Sequence, residues 1–468
     1  MDKSIKVGSK IVVSGMPEWY AYAEKVCTID NPAYASALKY SPHKFIAVPK
    51  KLVYVEGNPD CFTVPRGFPL QDFDLDWSSK DSPEIVDLRI DCPAAFPEMS
   101  VDLYTSQRYV SSTVYKDRDS VSGGYLVVMP TSKGKSITAL DLVRRLNQRV
   151  LIVVHLRTIF NGWLREINKV FGLPASKIGV IQGNTWRVGP CVTVAMLQTL
   201  TNRQERWPEL FDVTGTLVVD EAHIVPCHTA ANFVNECPAR YRIGLTATED
   251  RKDKLESVLY LLFGEPFVKQ SIEMTETRSS LPISDAILLP TDFYAEYTED
   301  YHAFLEALTK DVARNEMIVS KVVEEAKQNY VCLVVTNRRE HAKMLHREIG
   351  RSVNCDLLLG GMDKTEFRLI MEKFLDGKGR VLVSTNKLIS TGANIPPLER
   401  LFVTIPYANS VEIVQLAGRI RRKFPGKKDA VIYDFFDVNI PRVRQIFRQY
   451  HLPAFRRMRV PTWMNKHL

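Results

Sequence analysis

The chain has 468 residues, 45% of them hydrophobic and 25% charged, with a formal net charge of +8. This is ordinary globular usage with room for two or three domains, and no stretch is repeated or of low complexity. No apolar run approaches the ~18 residues of a membrane span. The first residues, MDKSIKVGSK, lack the apolar core of a signal peptide. Eight scattered cysteines without a CxxC pair point to reduced thiols in a cytoplasmic compartment.

The first hundred residues read as a small strand-containing accessory domain. Ile11–Val13 and Lys51–Val55 have strand patterning, and NPD and PRG read as turns. Residues 71–100 carry eight acidic and two basic side chains with Pro83, Pro93 and Pro97. They read either as an acidic linker wrapping onto the neighbouring domain or as a merely solvated loop. From 101 to 275, short apolar strands alternate with helices, and strands are expected near 125–130, 149–154, 191–197, 215–220 and 241–246.

Two of these strands end in chemistry. Tyr125–Pro130 (YLVVMP) leads into MPTSKGKS at residues 129–136, and a helix is expected from Ile137 to Leu146. Strand, tight loop and helix is the setting in which backbone N–H groups and a helix N-terminus cradle phosphate. The cradle would be Thr131, Ser132, Lys133 and Gly134. Lys135 would lie against the β- and γ-phosphates of ATP, and Ser136 would offer its hydroxyl to Mg2+. The strict GxxxxGK[ST] pattern is broken at Met129. Gly215–Val219 (GTLVV) runs into DEAH at residues 220–223. Ligands of parallel sheets bind outside such strand ends. Asp220 suits magnesium through its water shell, and Glu221 suits the orientation and deprotonation of a water. His223 reads as a coupling residue. With Cys227, His228 and Cys237 it matches no common zinc spacing.

Residues 270–290 are polar and turn-rich at their start and read as a hinge. The alternation resumes from 315 to 440, with strands expected near 331–336, 380–385, 400–406 and 429–436. Within it, QLAGRIRR at residues 415–422 lies on a predicted helix. Gln415, Gly418, Arg419 and Arg422 share one face, where the two arginines suit a grip on a γ-phosphate. Residues 441–468 hold seven Arg or Lys and no acid. Phe447, Tyr450, Phe455 and Trp463 interleave with arginines that include Arg456, Arg457 and Arg459. This reads either as phosphate contact with base stacking or as an amphipathic helix, Val443–Tyr450, that packs its aromatics inward.

Together these motifs resemble superfamily 2 helicases carrying a DEAH box, over roughly residues 100–440. The pattern is most similar to phage branch-migration helicases of the UvsW type. The resemblance implies two RecA-like doubly wound parallel-sheet α/β domains, at 101–275 and 276–440. The accessory region 1–100 and the basic tail 441–468 would flank them. It implies that Gln107 reads adenine and that Gly392 contributes to the nucleotide site. Arg157, Gln198, Thr199 and Thr385 would contact nucleic acid. Thr246 and Thr248, in a TAT sequence, would couple hydrolysis to strand movement, with His223 and Gln415. Asn394 stands where many members have Asp. The expected activity is ATP-driven unwinding or branch migration of branched or forked DNA. An RNA helicase, or a nucleic-acid-binding protein with a decayed ATPase, remains open.

Overall fold

The computed structural model describes residues 3–34, 48–72, 82–129, 134–226, 228–247, 255–269, 285–295, 301–385, 395, 397–421, 424–427, 429–458 and 460–464. They group into two compact units, each carrying one large parallel sheet.

The first unit opens with β1 (Ser4–Val7), β2 (Lys10–Ser14), β3 (Thr28–Asp30), β4 (Lys51–Val53), β5 (Glu56–Asn58), β6 (Cys61–Pro65) and β7 (Glu84–Asp87). β3 and β4 form a two-stranded ribbon, and the others form a sheet ordered β5-β6-β2-β1-β7. Alternation builds this sheet: in β2, Ile11 and Val13 are buried while their neighbours are half-buried. β7 lies inside the acidic stretch and pairs parallel to β1.

Two arginines join this sheet to the rest of the unit. Arg66 donates to the carbonyl oxygens of Gly8, Ala239 and Arg240. Arg242 donates to those of Ser9, Asn235 and Cys237. Both side chains are fully buried. Burial, together with the neighbouring Arg242 charge, pulls the pKa of Arg66 well below the usual arginine range. Burial pushes that of Arg242 down to about 10.

The large sheet of this unit contains β8 (Gly124–Val128), β9 (Val150–Val154), β10 (Gly179–Gln182), β11 (Thr185–Arg187), β12 (Val192–Met196), β13 (Thr216–Asp220), β14 (Tyr241–Thr246) and β15 (Pro266–Lys269). Its order is β11-β10-β12-β9-β13-β14-β8-β15, parallel throughout except for β11. Every residue of β9, β13 and β14 is buried. Helices cover both faces, so these strands read as continuous apolar runs. Helices Thr105–Lys116, Lys135–Leu146 and Arg157–Phe171 pack on one face. Helices Trp207–Phe211 and Glu256–Phe263 pack on the other.

The second unit has β16 (Asp285–Thr291), β17 (Cys332–Thr336), β18 (Cys355–Leu358), β19 (Val381–Thr385), β20 (Arg400–Val403), β21 (Val431–Asp437) and β22 (Thr462–Met464). They are ordered β18-β19-β17-β20-β21-β16-β22, all parallel. Two doubly wound parallel sheets are therefore the observed architecture, as expected. In the two large sheets, the strands read from the sequence are those buried on both faces. β10, β11, β18 and β22 lie at or next to sheet edges and lack that signature.

The segment from Pro441 is folded into this unit. It runs as a helix Pro441–Ile446, a π-helical turn Phe447–His451 and a helix Leu452–Arg457, and then pairs as β22 against β16. Phe447 and Phe455 are buried, whereas Arg456 and Arg457 are exposed. The aromatics thus pack inward while these arginines face outward. Trp463 is 61% exposed and donates to Asp285 Oδ1 at 2.7 Å. His451 ties the segment down: its Nε2 accepts from the Tyr407 N–H at 3.0 Å and its Nδ1 lies 2.6 Å from Asp434 Oδ2.

Candidate active site

Sheet order brings the first two motifs together. β13 and β8 flank β14, so their C-terminal ends lie one strand apart. Met129 N–H, just past β8, donates to Thr246 O at the end of β14 at 2.9 Å.

The helix Lys135–Leu146 starts at Gly134, whose φ of 77° is left-handed. A Cβ built there would lie 2.1 Å from Gln107 Nε2, so any other residue would have to displace that amide as well as hold a left-handed backbone. Gln107 is 2% exposed and sits directly against this loop. Its Oε1 accepts the Tyr104 N–H at 2.9 Å, which caps the helix Thr105–Lys116. Lys135 and Ser136 follow on the first turn and are half-buried.

Lys135 Nζ reaches Glu221 Oε1 at 3.4 Å, across 86 positions of sequence. Glu221 has φ 52° and ψ 49°, a left-handed conformation that side chains rarely adopt. Strained backbone of this kind collects at functional sites. Glu221 Oε2 lies 3.4 Å from His223 Nδ1, which is also 3.4 Å from Thr246 Oγ1. His223 thus links the acidic pair to the end of β14.

Asp220 is 7% exposed. Its Oδ1 accepts the Glu221 N–H at 2.8 Å, and its Oδ2 accepts the Trp163 indole N–H at 2.9 Å. Burial first, and then the Glu221 charge, push its carboxyl up to about 6, while Lys135 and the indole pull the other way. A buried carboxylate at a strand end with too little positive charge around it fits a divalent cation, which would reverse that shift. Among the described residues no group of three His, Cys, Asp or Glu could hold a metal. His155, at the end of β9, is held neutral: burial lowers its pKa to about 4 against a smaller raising effect of Glu221.

The proposed nucleic-acid contacts divide. Arg157 and Gln198 are exposed, each in the first turn of a helix. Thr199 is 8% exposed, and its Oγ1 accepts the Gly183 N–H at 3.0 Å. Its hydroxyl therefore holds a turn, and Gln198 is the outward-facing member of the pair. Thr385 ends β19 and is half-buried. In the second unit the helix Ser410–Ile420 is capped by Asn409, whose side chain accepts the Val411 N–H at 3.1 Å. Ile413, Leu416, Ala417 and Ile420 face the core, and so does Gly418; Gln415 and Arg419 are half-buried. Thr131, Ser132, Lys133, Cys227, Thr248, Gly392, Asn394, Arg422 and Arg459 lie outside the described residues.

The sequence reading did not assign Trp163. It lies within the stretch HLRTIFNGWLRE, but its spacing with Phe160, Ile167 and Val170 marks only a buried helix face.

Known proteins share this chain's sequence over both units. Residues 100–251 match the family described as type III restriction enzyme, res subunit. Residues 313–423 match the helicase conserved C-terminal domain. The chain is 26% identical over 360 residues to "Probable helicase D10" of Escherichia phage T5, covering 75% of each. It is 22% identical over 367 residues to "ATP-dependent DNA helicase uvsW" of Enterobacteria phage T4, covering 72% of this chain and 70% of that one. The fold is shared with S. cerevisiae Dbp5 bound to RNA and ADP BeF3. There the TM-score is 0.57 at 11% identity, over 78% of this chain and 90% of that one. These two family matches fall on the two units that carry the large parallel sheets, and the ends of β8 and β13 lie one strand apart; the chain belongs to the superfamily 2 helicases.

Proposed function

We propose that the chain is an ATP-dependent DNA helicase or translocase that remodels branched duplexes. The observation that carries the ATPase reading is the Lys135–Glu221 contact at 3.4 Å, beside the buried Asp220. The T4 relative, named a DNA helicase, supports DNA as the partner.

The contact suggests how the site is switched on. Lys135 and Glu221 hold each other, so the base is occupied. The phosphates of ATP carry more negative charge than one carboxylate and draw Lys135 away. Glu221 is then free to orient a water and take its proton. Bound magnesium, held by Asp220 and Ser136, would neutralise charge on the β- and γ-phosphates. His223 and Thr246 pass the change at Glu221 to the end of β14. Arg419 and Arg422 are the residues to which the family resemblance assigns the charge that stabilises a transferring phosphate. Arg157, Gln198 and Thr385 contact the nucleic-acid backbone, with little sequence preference.

The test is ATP hydrolysis compared across single-stranded DNA, forked DNA, four-way junctions and RNA. Greatest stimulation by forks or junctions is expected. Greatest stimulation by RNA would assign an RNA helicase, and hydrolysis indifferent to all four would sink the proposal.

A further inference from the structure

Asp220 is gripped from the helix that begins at Arg157, the residue proposed above to contact nucleic acid. Trp163 Nε1–H donates to Asp220 Oδ2 at 2.9 Å, across 57 positions of sequence. Both side chains are buried, Trp163 to 2% exposure. The other carboxylate oxygen takes the Glu221 N–H at 2.8 Å, so the plane of the carboxylate is fixed from two sides. Trp163 belongs to the helix Arg157–Phe171, anchored by Phe160, Ile167, Val170 and Phe171 in the core. That helix begins at the exposed Arg157, ~9 Å along the axis from Trp163 at 1.5 Å per residue. A packed helix moves as a rod, so a load at its first turn is felt at the indole.

We propose that Trp163 is a positioning residue for the metal carboxylate. Through it, the helix Arg157–Phe171 carries nucleic-acid occupancy at Arg157 to Asp220. The inference rests on the ATPase reading above and deepens it. Groups that orient metal ligands through hydrogen bonds act in this way elsewhere. The rival is that a buried indole N–H needs an acceptor and Asp220 merely provides one.

Trp163→Phe keeps the ring and removes the donor. The first readout is Mn2+ binding by the full chain with a non-hydrolysed ATP analogue, followed by electron paramagnetic resonance. Positioning predicts Mn2+ affinity weakened roughly tenfold, at the low end for such orienting partners. The second is a cycle with Arg157→Gln, reading the stimulation of hydrolysis by forked DNA. Each single change should lower stimulation, and the double variant should be no worse than the lower of the two. Mn2+ affinity within twofold of wild type in folded Trp163→Phe would overturn the positioning role. Additive losses in the cycle would overturn the relay. Should the Phe variant not fold, wild-type protein labelled with 15N-tryptophan gives the same test. The Trp163 indole resonance must shift when forked DNA binds and stay fixed in Arg157→Gln; no shift overturns the relay. A wild-type enzyme indifferent to DNA would count against the proposed function, while the Mn2+ titration would still decide the positioning role.

Discussion

His341 should make the second unit acid-labile. Its ring is 3% exposed and has two partners. Asn315 Nδ2 donates to Thr309 O at 2.9 Å, which leaves Asn315 Oδ1 as the accepting end of the amide. That oxygen lies 3.0 Å from His341 Nε2, so Nε2 carries the proton. Nδ1 must then accept, from Thr336 Oγ1 at 3.0 Å. A second proton would break that bond and place a charge in the core near Arg314. Burial first, and the Arg314 charge second, lower the pKa from 6.5 to about 3. The sign follows directly. The folded imidazole stays neutral down to about pH 3, whereas the unfolded one takes a proton below 6.5. Stability is therefore fully present above pH 6.5 and falls as the pH drops. At pH 5 the loss is RT ln(1 + 10^1.5), about 2 kcal/mol. Hydrogen exchange of the slowest β17 amides, corrected for intrinsic rates, reads this unit alone. Wild type should lose about 2 kcal/mol more than His341→Gln between pH 7.5 and 5. Parallel curves for the two proteins would refute the buried neutral imidazole.

Three further outcomes are expected. Glu221→Gln should retain ATP binding, measured with a fluorescent analogue, while phosphate release falls by roughly 10²–10⁴; loss of binding would make Glu221 structural. Arg419→Ala should lower kcat far more than it raises KM, with an arginine-finger loss of ~10³–10⁵ as the upper scale; a change in KM alone would remove Arg419 from the chemistry. Changing the exposed Arg456 and Arg457 together to Gln should flatten the slope of log K against log salt for forked DNA by roughly 1–2 units, at ~0.7–0.9 per lost contact. An unaltered slope would remove those arginines from the DNA-binding elements.

The sequence announced what a parallel sheet must announce. β8, β9, β13 and β14 are sheathed by helices, so YLVV, VLIVV, TLVVD and YRIGLT are near-continuous apolar runs. Lys135 and Glu221 were legible because each follows such a run. What was not legible depends on neighbours far along the chain. Nothing in DEAH says that Asp220 meets an indole 57 residues away. Nothing in LQT says that the Thr199 hydroxyl is taken by Gly183. The stretch from Pro441 could be read two ways because its π-turn shifts the helical register between Phe447 and Phe455 and buries both.

The guanidiniums of Arg66 and Arg242 bear on how the chain could be dissected. Every described hydrogen bond of either group ends on a backbone carbonyl, and several cross between the amino-terminal sheet and the loop leading into β14. Carbonyls solvate a cation but do not cancel it. Pulling the two sheets apart would strip those oxygens from two charges at once and leave β14, the strand that ends at Thr246, beside an unsatisfied cation. Residue 100 is therefore a border in composition and not a seam in the folded chain. A fragment trimmed to the helicase core would lose part of the support beneath its own catalytic strands.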